Sequence, residues 1–129
     1  MNPDDFPTPA VAVDEVEPAE LKRRIDGGEA VTILDARMEH DFEEWHIDGE
    51  SVEVANVPYF QFLDEEVDAD LLQRVPDGDP LVVLCAKGGA SEYVAGRLAE
   101  AGRNVVHLGD GMNGWARLYE RAVVSRYDG

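Results

Sequence analysis

The length, composition and charge of this chain narrow its possible functions. Its 129 residues suit one domain with a single core. Aspartate and glutamate total 28 against 11 lysines and arginines, which gives a formal net charge of −17. No basic stripe could meet phosphates, so we expect no nucleic-acid partner. The single cysteine excludes an internal disulfide and any multi-cysteine metal site.

The acidic residues are scattered along the chain and not gathered in a tail. In a partner-binding tail the acidic residues would be clustered. Adaptation to high intracellular salt therefore explains the negative charge better. At about 1 M salt the Debye length falls to roughly 3 Å, and repulsion between the charges is screened. We therefore interpret the surface as halophilic.

The sequence shows neither a membrane-spanning run nor an N-terminal secretory signal. There is no apolar run of about 18 residues, so we expect no membrane span. Residues 1–10 lack the basic and apolar parts of a secretory signal and hold three prolines. We expect a cytoplasmic protein with a flexible leader over residues 1–10 and one domain over residues 11–129.

Short apolar runs alternate with helical patterns along the chain. Because such alternation is typical of βαβ units, it predicts a mainly parallel sheet with helices on both faces. The predicted strands are residues 11–16, 31–34, 52–57, 81–84 and 104–108. The predicted helices begin at Pro18, cover residues 38–45, 59–63, 70–75 and 91–101, and resume after residue 109. We expect the helix over residues 38–45 to bury Phe42 and Trp45.

The rest of the chain is organised around residues 81–91. A buried strand leads into Cys85, and Lys87-Gly88-Gly89 lead into a helix with Val94, Leu98 and Ala101 on one face. Backbone N–H groups of such a loop converge on the sulfur, hold anions and favour a thiolate. In parallel sheets, ligands bind beyond the carboxyl ends of the strands. The pattern predicts a nucleophilic cysteine for a small anionic sulfur species; an inert buried cysteine is the alternative.

Several motifs in one order resemble the rhodanese family, and together they cover about residues 11–120. They are Asp35-Ala36-Arg37, Glu39-His40-Asp41-Phe42, Trp45-His46-Ile47-Asp48-Gly49, Asn56-Val57-Pro58, the six-residue loop Cys85–Ala90, and Gly109-x-Gly-x-x-x-Trp115. The resemblance implies a three-layer α/β/α fold with a mainly parallel five-stranded sheet. The chain departs from the family pattern at Trp45, at Glu50-Ser51, and at Ala90, where arginine is common.

The resemblance also implies a sulfurtransferase without metal or organic cofactor. The Cys85 thiolate would take the outer sulfur of thiosulfate or a related donor as a persulfide, and a thiol, cyanide or partner protein would accept it. The family's Cys-x-Lys-Gly loops point towards thiosulfate, although Glu92 would oppose a bound dianion. In the loop, the resemblance implies that the amides of Ala86, Lys87, Gly88, Gly89 and Ala90 surround the persulfide and that the charge of Lys87 orients the anion. Gly88 and Gly89 are needed because the loop must curl with some φ > 0.

Four further residues have a structural interpretation beside a functional one. Ser91 could donate to the sulfur, but a helix cap is the favoured interpretation. Asp35 and Arg37 resemble family landmarks, and we expect them to support the strand end as an ion pair or a hydrogen-bonded turn. His46, which could be a proton carrier, is more typical of a hydrogen-bonded turn residue.

Two other functions compete with a free-standing sulfurtransferase. A persulfide carrier would be loaded by a partner desulfurase and would serve thiolation of tRNA or cofactors, with the same chemistry at Cys85. A cysteine phosphatase or arsenate reductase needs an arginine six residues after the cysteine. Ser91 occupies that position and Arg97 lies too far along the helix, so this alternative is disfavoured.

Overall fold

A computed structural model describes residues 12–63 and 67–118 of the chain. The predicted leader over residues 1–10 and the tail after residue 118 lie outside the described residues. One sheet contains five strands, in the order β1-β5-β4-β2-β3. The strands are β1 (Asp14–Val16), β2 (Val31–Asp35), β3 (Val52–Asn56), β4 (Leu81–Leu84) and β5 (Val105–Leu108).

Every pair of neighbouring strands in this sheet is parallel, as the alternation of apolar runs and helices predicts. Strand β4 lies in the middle, and all four of its residues are buried. A central parallel strand is covered on both faces, which explains why its sequence is an unbroken apolar run. The carboxyl ends of β2, β4 and β5 therefore lie side by side.

The helices cover both faces of the sheet, which confirms the three-layer fold. They are α1 (Pro18–Asp26), α2 (Glu39–Glu44), a 3-10 helix (Tyr59–Phe62), α3 (Ala69–Arg74), α4 (Gly89–Glu100) and α5 (111–118). One core cluster joins α1 and α5 to the sheet and includes Leu21 and Trp115. The other joins the 3-10 helix, α3 and α4 to the sheet and includes Phe62 and Leu98. No helix in residues 12–63 and 67–118 is long and apolar enough to span a membrane.

Two predictions about buried residues are wrong. Trp45 is 44% exposed and Phe42 is only half-buried, because α2 lies outside both core clusters and ends at Glu44. Trp45 instead places its ring 5.5 Å from the guanidinium carbon of Arg37, a cation–π contact at the edge of the domain. Ala101 is exposed because α4 ends one residue before it, while Val94 and Leu98 are fully buried as expected.

Candidate active site

The candidate site lies at the carboxyl ends of β2 and β4. These strands pair directly, with Asp35 opposite Leu84, and the amide of Ala36 donates a 2.8 Å hydrogen bond to the carbonyl of Leu84. The residues that follow each strand are therefore neighbours in space. This register brings Asp35-Ala36-Arg37 and Cys85 to one edge of the sheet, although 48 positions separate Arg37 from Cys85 in the sequence.

The Cys85 sulfur lies under the first turn of α4. Its Sγ accepts hydrogen bonds from the amides of Gly88 at 3.0 Å and of Ser91 at 3.2 Å. The amides at a helix N-terminus have no partner within the helix, so they can stabilise negative charge on this atom. Cys85 is 5% exposed, so the residue is almost entirely shielded from solvent.

The loop needs left-handed backbone at one glycine and not at both. Gly88 has φ of +112°, a conformation that glycine adopts without steric cost. Gly89 is the first residue of α4 and is not among the glycines with positive φ. The expected curl of the loop with some φ > 0 is therefore made at Gly88 alone. The helix begins at Gly89 because Gly88 already makes the required turn.

Ser91 does not cap the helix, contrary to the favoured interpretation. It is the third residue of α4 and is fully buried. Its hydroxyl donates a 3.0 Å bond to the carbonyl of Gly88 and lies 3.4 Å from Sγ of Cys85, from which it can accept the thiol proton. The cap position belongs to Gly88, which has no side chain. At most helix N-termini a side-chain oxygen of the cap residue accepts a hydrogen bond from this amide. Here the Cys85 sulfur accepts the hydrogen bond from the Ser91 amide.

Cys85 lines a cavity of about 210 Å³. Lys87 is exposed at its edge, Asp41 adds a carboxylate, and the remaining walls are largely apolar or backbone. Of the expected loop residues, Gly88 and Ser91 bond the sulfur. The residues lining the cavity are Ala36, Arg37, Met38, Asp41, Tyr59, Cys85, Ala86, Lys87, Gly89 and Ala90.

Sequence reasoning missed Met38, Asp41 and Tyr59 as cavity residues. Met38 and Asp41 follow β2, and Tyr59 follows β3. The available signal was their position just after predicted strands, because such positions gather at one edge of a parallel sheet. That signal becomes specific only when the order of the strands is known.

Asp35 and Arg37 form the predicted ion pair, and both are buried. Asp35 accepts bonds from the backbone N–H, Nε and Nη2 of Arg37 at 2.8–3.2 Å. Nη2 also donates to the carbonyl of Trp45 at 2.7 Å, and the Asn56 amide donates to the carbonyls of Asp35 and Arg37. The Arg37 charge is therefore matched by Asp35 beside the cavity. Such a network fixes the segment that forms the wall opposite the sulfur.

His46 and Ala90 have structural surroundings. Nδ1 of His46 lies 2.9 Å from the carbonyl of Phe42, so this nitrogen carries the proton, and its ring stacks on Phe42 at 4.1 Å. This agrees with its interpretation as a turn residue. Ala90 is buried in α4 and lines the cavity without a charge where the family often has arginine.

Comparison with known proteins decides the family. The model of the Rhodanese-like domain matches residues 17–118, which include both strand ends and the Cys85 loop. The chain belongs to the rhodanese-like family. Among solved structures, SSP1007 from Staphylococcus saprophyticus has a TM-score of 0.65 at 24% identity, and the match covers 80% of this chain and 93% of that one. That likeness supports the fold.

Two similar proteins are longer than this rhodanese-like chain. YrkF of Bacillus subtilis (strain 168), named as a candidate sulfur carrier protein, is 27% identical over 107 residues, or 82% of this chain. The chain spans about half of that relative's length, 52%. An NAD-dependent persulfide reductase from A. fulgidus has a TM-score of 0.56 at 27% identity, over 80% of this chain and 16% of its own.

Proposed function

We propose that this protein transfers sulfane sulfur through a persulfide on Cys85. The observation that carries the proposal is that Cys85, just after β4, lines the cavity while its Sγ accepts hydrogen bonds from the amides of Gly88 and Ser91. Those amides would stabilise the thiolate before the reaction and the inner sulfur after it. Membership of the rhodanese-like family and the similarity to named sulfur-handling proteins support the same chemistry.

In the first half-reaction the Cys85 thiolate attacks the outer sulfur of the donor. With thiosulfate, the bond between the two donor sulfurs breaks and its electron pair leaves with sulfite. A new S–S bond forms on Cys85 in the same step. One S–S bond replaces another, so the step needs no external oxidant or reductant.

In the second half-reaction an acceptor attacks the outer sulfur of the persulfide. The S–S bond breaks and its electron pair returns to Sγ of Cys85, which becomes the thiolate again. Cyanide would leave as thiocyanate and a thiol as a new persulfide. This is a two-stage, ping-pong course, and no metal or organic cofactor enters the proposal.

We assign roles to the other residues of the loop on the same geometry. Ala86, Gly89 and Ala90 line the cavity, so we propose that their amides surround the outer sulfur, and Lys87 supplies a positive charge. Asp35 and Arg37 are positioning residues, because their network holds the opposite wall.

A carrier loaded by a partner protein is the second candidate, and the charge of the cavity favours it. Asp41 lines the cavity together with Lys87, the Arg37 charge is matched by Asp35, and Ala90 adds none. Because these charges nearly cancel, the cavity offers little electrostatic attraction to a dianion such as thiosulfate. A sulfur carried on a cysteine has less charge to neutralise. YrkF, named as a candidate sulfur carrier, points in the same direction.

The phosphatase alternative receives no support from the cavity. Among the residues that the structure describes, Arg37 is the arginine lining it, and its guanidinium is bonded to Asp35 and Trp45. A phosphoryl group needs a guanidinium with two N–H groups available for its oxygens.

Intact-protein mass spectrometry in molar KCl tests the proposal. The wild-type protein is incubated with thiosulfate, with Cys85→Ser beside it, and then treated with cyanide. We expect the mass of one sulfur atom to be added to the wild type alone and removed by cyanide. No added mass, with fast alkylation of Cys85 at neutral pH, would favour the partner-loaded carrier. Slow alkylation as well would overturn both.

The cellular setting is also a proposal. We infer that one rhodanese-like domain over residues 11–129 works in a cytoplasm of high salt, from the net charge of −17. Cell fractionation tests the location. Limited proteolysis tests the limits of the domain. A stable fragment whose first residue lies well after residue 17 would contradict them.

A further inference from the structure

A second and larger depression adjoins the Cys85 cavity. Its volume is about 550 Å³, and Met38 lines both depressions. We call it the Phe60 groove and define it by Met38, Phe42, Pro58 and Phe60, with Glu39 and Glu43 on its α2 side. The Phe60 groove therefore shares a lining residue with the cavity of the proposed sulfur chemistry.

Large apolar side chains are exposed in this groove. Phe60 is 48% and Met38 36% exposed, and among the described residues only Trp45 and Leu63 join them as exposed large hydrophobics. The Phe60 ring packs edge-on against Tyr59, which lines the Cys85 cavity. An apolar patch of this kind on a strongly charged domain is typical of an interaction site.

The charge along one wall indicates which partner would fit. Helix α2 places Glu39 and Glu43 on the groove, and it carries no basic residue in its last turn. On the opposite side Arg74 is hydrogen-bonded to Gln61. A segment with apolar side chains for Phe60 and Met38 and basic side chains for the α2 wall is complementary to this surface.

We propose that the Phe60 groove docks an extended segment of an acceptor protein, rich in apolar and basic residues, whose cysteine takes sulfur from Cys85. This rests on the proposed persulfide of Cys85. The acceptor thiolate attacks the outer sulfur, the S–S bond of the persulfide breaks, and the electron pair returns to Sγ of Cys85. The acceptor leaves as a persulfide. Cyanide is small enough to react in the Cys85 cavity alone.

Transfer kinetics with synthetic peptides test the docking. The probe is a short peptide with one cysteine preceded by alternating leucine and arginine residues, and its match has glutamate in place of arginine. Persulfide-loaded protein is mixed with each peptide, with free cysteine and with cyanide, at the lowest KCl concentration that keeps the protein folded. We expect the basic peptide to react about tenfold faster than its acidic match.

Two matched variants separate docking from folding. Phe60→Ser removes the exposed ring from the groove, and Leu63→Ser removes an exposed apolar side chain of the same segment that does not line it. We expect Phe60→Ser to slow transfer to the basic peptide about tenfold and Leu63→Ser to leave it unchanged, because one anchoring side chain contributes about that factor. Transfer to cyanide should be the same in both variants. Equal effects of the two substitutions on peptide transfer would overturn the docking proposal.

Charge reversal supplies a second test. Glu43→Lys changes the acidic wall without touching the Cys85 cavity, of which Glu43 is not a lining residue. We expect this variant to lose the preference for the basic peptide and to prefer the acidic one. An unchanged preference, or equal wild-type rates for both peptides and free cysteine, contradicts the proposal.

A binding measurement keeps the docking test independent of the chemistry. Fluorescence anisotropy follows the labelled basic peptide, with serine in place of its cysteine, on Cys85→Ser protein. If Phe60→Ser weakens peptide binding and Leu63→Ser does not, the result supports docking. This holds even if no persulfide forms on Cys85, and in that case only the proposed function fails. Transfer to cyanide without any peptide binding leaves the proposed function intact and overturns the docking.

Discussion

The amide of Met112 donates a 2.8 Å hydrogen bond to the carbonyl of Cys85. The following amide, that of Asn113, donates to the carbonyl of Ala86 at 3.0 Å. Both donors belong to the first turn of α5, where amides lack partners within the helix. The last helix of the described chain therefore holds the nucleophile loop through its backbone, from the side opposite α4.

Gly111 permits this close approach, and its replacement should damage the site. Its φ is +54°, and a Cβ there would lie 2.2 Å from the carbonyl oxygen of Cys85 and 2.8 Å from the carbonyl carbon of Ala86. We expect Gly111→Ala to lower the free energy of unfolding by about 3 kcal/mol, because backbone atoms must move apart. We expect the displaced loop to transfer sulfur at least about tenfold more slowly. Urea unfolding and cyanide-coupled turnover measure the two effects.

Gly102 offers a matched control for that substitution. Its φ is +91°, and nothing lies within 4 Å of the position where a Cβ would be. Gly102→Ala should therefore cost only the left-handed strain, about 1 kcal/mol, and leave turnover unchanged. Equal losses of stability and activity in the two variants would show that the contact with the Cys85 loop is unimportant.

The Ser91 hydroxyl is expected to matter less than the Ser91 amide. In Ser91→Ala both amide bonds to the sulfur remain, and the carbonyl of Gly88 keeps its 3.1 Å bond from the amide of Glu92. We expect the free energy of unfolding to fall by about 1 kcal/mol. Because the hydroxyl donates to Gly88 and not to the sulfur, persulfide formation should slow by much less than the ~100-fold loss typical of a missing oxyanion donor.

Stopped-flow loading with thiosulfate and urea unfolding measure the Ser91→Ala variant. Cys85→Ser gives the baseline with no persulfide. A loss of loading as complete as that baseline would make Ser91 a catalytic residue and would contradict the assignment of the sulfur's stabilisation to backbone amides.

The strand, loop and helix around Cys85 can be predicted from sequence because the signals are local. Four consecutive apolar residues form β4, and Gly88 follows at the one loop position with left-handed backbone. The opposite wall cannot be predicted in the same way. Met38 and Tyr59 reach the cavity only because β2 lies beside β4 and β3 beside β2, and strand order is a property of the whole sheet.

The wrong predictions concern residues whose positions depend on contacts with other parts of the chain, which a local sequence pattern does not show. Ser91 has the residue type of a helix cap, but the sulfur six positions earlier accepts its amide and the helix begins before it. Trp45 has the residue type of a core residue. Arg37 instead donates a hydrogen bond to the carbonyl of Trp45 and contacts its ring, which stays exposed.

Salt should stabilise this protein. With a net charge of −17, repulsion within the folded domain is strong in dilute buffer, and the Debye length falls from about 10 Å at 0.1 M to about 3 Å at 1 M salt. We expect the urea midpoint to rise steadily with KCl over this range. NaCl at equal concentration should act alike, because screening depends on ionic strength. A midpoint that stays flat or falls would contradict adaptation to high salt.

A single substitution can test whether Lys87 binds the donor anion. Lys87 is exposed and lines the Cys85 cavity, whereas Lys22 lies in α1 and pairs with Asp26. Lys87→Ala and Lys22→Ala remove the same charge from the chain, so their difference isolates the local effect. We expect Lys87→Ala to raise KM for thiosulfate about tenfold with little change in kcat, since it removes attraction for the donor anion.

The two lysine variants should differ in kinetics and not in fold. Substitution of an exposed surface side chain usually changes the free energy of unfolding by no more than about 0.5 kcal/mol, so we expect urea unfolding to separate Lys87→Ala from wild type by little. If the two variants use thiosulfate equally well, Lys87 does not bind the donor. The balance between Lys87 and Asp41 would then favour a sulfur that arrives on a protein cysteine, because such a donor brings no dianion for Lys87 to hold.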